Sequence, residues 1–143
     1  MKIQIRQIPP EGILNLEEDL SLLALDLETD IVKFQGPIHI EAQVSMITNA
    51  VSLDLALRGV MSLKCSRCLN DFNIGLVKEL QWNYQIDKNQ QEIDLGPDIR
   101  EEIILDYPLQ PLCEINCRGL CPRCGKNLNE GGCRCAPTKA KTL

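Results

Sequence analysis

Eight cysteines, six of them crowded into Cys113, Cys117, Cys121, Cys124, Cys133 and Cys135, constrain this chain more than any other feature. The other two, Cys65 and Cys68, form an outlying pair. In Cys121-Pro122-Arg123-Cys124-Gly125 two sulfurs separated by two residues are followed by a small residue, so a tight turn can aim both at one metal ion. Cys133-Arg134-Cys135 puts two more sulfurs on one side of an extended segment. Four such thiols close together point to a tetrathiolate zinc site, Cys121, Cys124, Cys133 and Cys135. The alternatives are a disulfide framework or buried thiols without a ligand.

Compartment bears on that choice. Met1-Lys2-Ile3-Gln4-Ile5-Arg6 lacks the apolar core of a signal peptide. The longest uncharged stretch, Ala42 to Leu53, is too short to span a bilayer as a helix. The expectation is a cytoplasmic protein without membrane partners, where thiols stay reduced and cysteine clusters serve metal or redox chemistry.

The remaining cysteines predict a second site. Cys65-Ser66-Arg67-Cys68 is flanked by strand patterns on both sides, whereas a redox pair ordinarily opens a helix that lowers its thiol pKa. Cys65 and Cys68 with Cys113 and Cys117 would complete a second zinc site that clamps the tail onto the sheet. Alternatively, Cys113 or Cys117 completes the tail site if Cys133 and Cys135 supply one ligand between them. The expectation is thus one Zn²⁺, with a second possible.

Away from the cysteines the chain reads as α+β, mainly β. Ile38, Ile40, Ala42, Val44 and Met46 alternate with polar residues, Thr48-Asn49 turns, and Val51 to Leu63 resumes the period of two, with Gly59 as a bulge or bend. Phe72 to Ile86 alternates again. Three consecutive antiparallel strands with one buried face follow, in a twisted or barrel-like sheet. Ile3 and Ile5 mark a short strand, and Pro97 opens a helix to about Asp106 with Ile99, Ile103 and Ile104 as its sheet-facing residues. Ile13 to Leu27 stays undecided, because Glu17-Glu18-Asp19 suits a helix start and Leu23, Leu25 and Leu27 alternate like a strand. The expected organisation is a β domain over residues 1–112, a zinc-binding tail over 113–135 and a disordered terminus over 136–143.

Charge is uneven. Residues 113–143 carry six basic against two acidic groups, and residues 1–112 nine against eighteen. The body therefore repels a phosphate backbone and the tail attracts it locally. Five aromatic residues are too few for a base-stacking platform. Arg67, Arg118, Arg123, Lys126 and Arg134, with Lys64, are the candidate contacts to nucleic-acid phosphates, three of them held between paired cysteines; the plainer reading is solvated charge beside thiolates. His39, the single histidine, lies on a polar strand face, and no phosphate-binding loop or catalytic constellation occurs. The expectation is no enzyme and no small-molecule substrate.

Cys65-x-Arg67-Cys68-Leu69, then Ile93-Asp94-Leu95, Glu101-Glu102-Ile103-Ile104-Leu105 and Pro108-Leu109-x-Pro111, then Cys117-x-Gly119-Leu120-Cys121-Pro122-x-Cys124-Gly125-x-Asn127-Leu128-Asn129 and Cys133-x-Cys135, together resemble the YceD family of large ribosomal RNA subunit accumulation proteins. The resemblance covers about residues 38–135. It implies a non-enzymatic cytosolic factor supporting accumulation or processing of large-subunit ribosomal RNA, with that RNA or a pre-ribosomal particle as partner. The alternative function is a zinc-stabilised adaptor that docks a protein and touches no RNA.

Overall fold

The computed structural model describes residues 1–135; the terminus expected to be disordered, 136–143, lies outside them. In chain order the elements are β1 (Lys2–Gln4), a 3-10 turn (Ile5–Gln7), β2 (Ile13–Leu20), α1 (Leu22–Leu25), β3 (Val32–Phe34), β4 (Ile38–Ile47), β5 (Ala50–Lys64), β6 (Asp71–Gln85), β7 (Glu92–Asp94) and α2 (Gly96–Leu105). The fold is mainly β with two helices, as the alternation predicts. The sheets are open: one of five strands, ordered β2-β4-β5-β3 with β6 also on β5, and one of two, β1-β7.

The undecided segment divides between both states. Glu17-Glu18-Asp19 lies in β2, and Leu22–Leu25 forms one helical turn closed by Asp26 at φ 47°. Pairing decides this: β2 runs antiparallel to β4 from Ile13↔Ser45 to Leu20↔Ile38. Glu17 therefore faces Glu41 across the strands, a like-charge pair that Arg58 beside Glu41 offsets at 3.8 Å. β5 runs through Gly59 unbroken.

The chain divides into two compact units. The first is Met1–Ser62 with Asn73–Tyr107; the second is Leu63–Phe72 with the chain from Pro108 on. In the first unit, the register Ile40↔Leu57, Ala42↔Leu55 and Val44↔Leu53 stacks apolar side chains on one sheet face, all buried. Complete burial of each large aliphatic is worth about 1.5–3 kcal/mol. α2 begins with Pro97 in its first turn and buries Ile99 and Ile103. Its outer side is tied by Lys78 Nζ to Glu102 Oε2 at 2.9 Å and to Asp106 Oδ1 at 3.2 Å. Tyr107 donates to the Leu27 carbonyl at 2.6 Å.

The second unit has a different interior. Among its described residues the buried apolar side chains are Leu63, Pro111 and the cysteines Cys65, Cys68, Cys117 and Cys121. Phe72, Leu112 and Cys113 pack around the first three of those cysteines. A segment whose core is mostly sulfur has little hydrophobic free energy of its own.

Candidate metal centre

Two turns of the second unit repeat one geometry. At the β5–β6 end, the Cys65 N–H donates to Asn70 O at 2.8 Å and the Leu69 N–H returns to Cys65 O at 3.0 Å. In the tail, the Cys121 N–H donates to Lys126 O at 2.8 Å and the Gly125 N–H to Cys121 O at 2.8 Å. Each turn closes through a residue at positive φ, Leu69 at 61° and Gly125 at 72°. Glycine adopts that conformation freely; for leucine it costs about 1–2 kcal/mol. Leu69 is also 57% exposed, so burial does not offset its backbone.

The turns deliver sulfurs to two clusters. Cys65, Cys68, Cys113 and Cys117 form the inner one, and Cys121, Cys124, Cys133 and Cys135 the outer one; within each, all sulfurs lie within 4.8 Å of one another. Sulfur–sulfur distances are 3.7 Å for Cys65–Cys117, 3.6 Å for Cys68–Cys113 and 3.4 Å for Cys121–Cys133. All eight thiols are free. Four sulfurs at about 2.3 Å from a tetrahedral ion stand about 3.8 Å apart, so both clusters are sized for one ion each. Among the described residues, these are the groups of metal-binding side chains close enough to hold an ion.

Electrostatics distinguishes the positions. Burial opposes ionisation of Cys65, yet the N–H groups of Cys68, Cys113 and Arg67 bring its thiol down to about 6. The N–H groups of Cys124 and Arg123 bring Cys121, the equivalent residue of the second turn, down to about 6. The opposite holds for Cys113, which burial and the sulfurs of Cys68 and Cys117 push up to about 12. Cys135 goes up to about 12 through the Cys124 sulfur and burial. Four thiolates cannot share so small a space without a cation; a dication between them removes the conflict.

Arg67, read from the sequence as a phosphate contact, is also a frame residue: its Nη1 donates to Cys117 O at 3.0 Å and its own carbonyl accepts Leu120 N–H at 3.2 Å. Arg118, Arg123, Lys126 and Arg134 are exposed. Ser66 ties the inner turn to Pro111, whose carbonyl accepts the Ser66 N–H at 2.8 Å and its hydroxyl at 3.0 Å. Asn129 stands in the family string, which carries no role for it; in the structure its Nδ2 donates to Cys117 Sγ at 3.3 Å. Its signal was the Asn127-x-Asn129 spacing between two cysteine pairs. His39 Nδ1 donates to the Asp19 carboxylate at 2.8 Å, far along the chain from any cysteine.

Two glycines in this unit serve different ends, which yields a test. Gly119 and Gly125 have nearly equal φ, 74° and 72°. A Cβ on Gly119 would stand 3.0 Å from the Arg67 carbonyl oxygen, whereas one on Gly125 meets nothing within 4 Å. Gly125→Ala is expected to cost about 1 kcal/mol of backbone strain, and Gly119→Ala about 1–3 kcal/mol more from the collision. Thermal unfolding of the two metal-loaded variants checks this; equal losses would contradict the close approach.

Comparison with known proteins agrees with the tail motif. The family model described as Large ribosomal RNA subunit accumulation protein YceD matches residues 78–142. The chain is 28% identical over 138 residues to Uncharacterized protein YlbN of Bacillus subtilis (strain 168), covering 87% of this chain and 79% of that one. It is 43% identical over 54 residues to the chloroplastic Large ribosomal RNA subunit accumulation protein YCED homolog 1 of Zea mays, covering 37% of this chain and 18% of the relative. The Arabidopsis thaliana protein of the same name is 24% identical over 158 residues, covering 80% of this chain and 49% of the relative. The chain thus spans less than half the length of these plant relatives. No solved structure matches it. The YceD resemblance carried by the cysteine motif is borne out. Among the described residues, no helix is long and apolar enough to cross a membrane.

Proposed function

We propose that this chain is a non-enzymatic factor supporting large-subunit ribosomal RNA accumulation, with two structural Zn²⁺ ions that shape a small RNA-contacting unit. The observation that carries this reading is the placement of four exposed cations, Arg118, Arg123, Lys126 and Arg134, on the segment that the two cysteine clusters frame. The printed names of the plant relatives supply the RNA class. Cys121, Cys124, Cys133 and Cys135 hold one ion, and Cys65, Cys68, Cys113 and Cys117 the other. Tetrahedral sulfur sets select zinc or iron. Four protein sulfurs close each site and leave no open position, which makes the ion structural rather than catalytic. An iron–sulfur cluster needs its cysteines spread around inorganic sulfides, and these are gathered around one point.

A handful of phosphate contacts gives modest affinity and a salt slope of about −0.9 per contact on a duplex. Such contacts set register, so the shape of a folded RNA supplies specificity. Arg67, with Nη1 given to the Cys117 carbonyl, adds its remaining N–H groups to this set, and exposed Lys64 is a further candidate.

The test replaces Arg123, Lys126 and Arg134 together by Gln, which keeps every cysteine. Recovery of large-subunit RNA with the tagged protein from cells should fall at least tenfold, with zinc content unchanged. Wild-type recovery would remove the basic segment from the account. A second reading, the protein adaptor, is favoured by the first unit: its seventeen acidic groups face seven basic ones, and a cavity of about 190 Å³ is lined by Glu41, Asp54 and Glu79. Such a surface suits a basic protein. Ribonuclease treatment before capture separates the readings, since a partner that survives it is held by protein.

A further inference from the structure

The Asn127-Leu128-Asn129 run lies in the loop between Cys124 and Cys133, whose ends belong to the outer cluster, yet it terminates on the inner one. Asn129 Nδ2 donates to Cys117 Sγ at 3.3 Å. Its Oδ1 accepts the Arg118 N–H at 2.8 Å. That N–H fixes which way the amide points, because the flipped amide would set its carbonyl oxygen against the sulfur and its NH₂ against another donor. Asn127 Oδ1 then accepts from both the Asn129 N–H and Nδ2, each at 3.0 Å.

The segment bearing Asn129 starts at the outer turn. Lys126 O accepts the Cys121 N–H, Asn127 bridges antiparallel to Leu120, and the Leu128 N–H donates to Gly119 O at 2.9 Å. One short ribbon therefore runs from an outer sulfur to an inner one. Hydrogen bonds to metal-bound ligands orient them and tune their donor strength.

We propose that Asn129 is a positioning residue that couples the two clusters, so that they take up metal together rather than independently. Filling the outer cluster fixes the turn that sets Lys126 to Asn129, and this presents the Asn129 amide to Cys117. Filling the inner cluster fixes Cys117 and, through the same amide, favours the outer turn. Coupling of this kind is reciprocal. The proposal rests on the reading of both clusters as metal sites.

Native mass spectrometry of the full chain at half-saturating zinc tests it. In the wild type, metal-free and two-zinc species should dominate, with the one-zinc species depleted about tenfold below independent filling. Asn129→Leu, of similar size but with no donor, should restore the independent distribution while still reaching two zinc ions at saturation. Loaded with cobalt(II), that variant should show a displaced thiolate-to-cobalt absorption band, which a purely structural role for Asn129 would leave in place. If Asn129→Leu fails to load, Asn129→Asp decides, since it keeps the acceptor for Arg118 and lacks the donor. A wild-type distribution or an unmoved band in the deciding variant overturns the coupling. A wild type that reaches no zinc at saturation overturns the metal reading itself.

Discussion

Stripping the metal from the full chain with a strong chelator under reducing conditions should unfold residues 63–72 and 108–135 while leaving the β4–β5 ladder protected. Hydrogen exchange reads both regions in one experiment. Among the described residues, the second unit buries Leu63, Pro111 and four cysteines as its apolar interior. Without an ion, each cluster confines four sulfurs to within 4.8 Å, with Cys113 and Cys135 resisting ionisation. Metal binding at sites of this kind supplies apparent folding free energies of about 10–16 kcal/mol, more than so small a unit can recover from packing. By contrast, Ile40, Val44, Leu53, Leu57, Ile99 and Ile103 are all fully buried within the first unit. Amides of β4, and of β5 up to Ser62, should thus keep their exchange rates, while those of Cys65 to Leu69 and Cys117 to Leu128 approach unstructured rates. Retained protection around the cysteines after metal removal would mean that the unit stands on packing alone.

How far the sequence could be read depended on the range of the forces involved. The strands from Ile38 and from Val51 announce themselves because each buries every second residue over many positions, and the helix at Pro97 because its cap chemistry is local. β3 and β7, three residues each, are too short for any period to register. The stretch from Ile13 to Leu27 is ambiguous along the chain and folds against both local signals: the acidic run that suits a helix start is a strand, and the alternating leucine run begins as a helical turn. What decides it is the non-local register of β2 on β4, which no window along the chain contains.

The same distinction runs through the candidate site. The outer cluster is legible in sequence because its cysteines are neighbours. The inner one brings Cys65 within 3.7 Å of Cys117, fifty-two positions away, and the β5–β6 pairing places the turn that does so. Spacing suggested the partners; it could not supply the distance. Asn129 is not singled out by sequence because what distinguishes it is a contact with a sulfur of the other cluster, and one asparagine looks like another in a loop.

The account stands on metal stoichiometry, and one substitution pair gives it a sharp form. Cys65 and Cys68 supply two of the four inner sulfurs, so Cys65→Ser with Cys68→Ser leaves Cys113 and Cys117 without a closed site. The outer sulfurs, Cys121, Cys124, Cys133 and Cys135, are untouched by that change. Breaking one of two coupled sites should also weaken the other, by about tenfold in zinc affinity. Native mass spectrometry of the zinc-saturated full chain therefore predicts two zinc ions in the wild type and one in the double variant. Zero or one ion in the wild type, or two in the double variant, would contradict it.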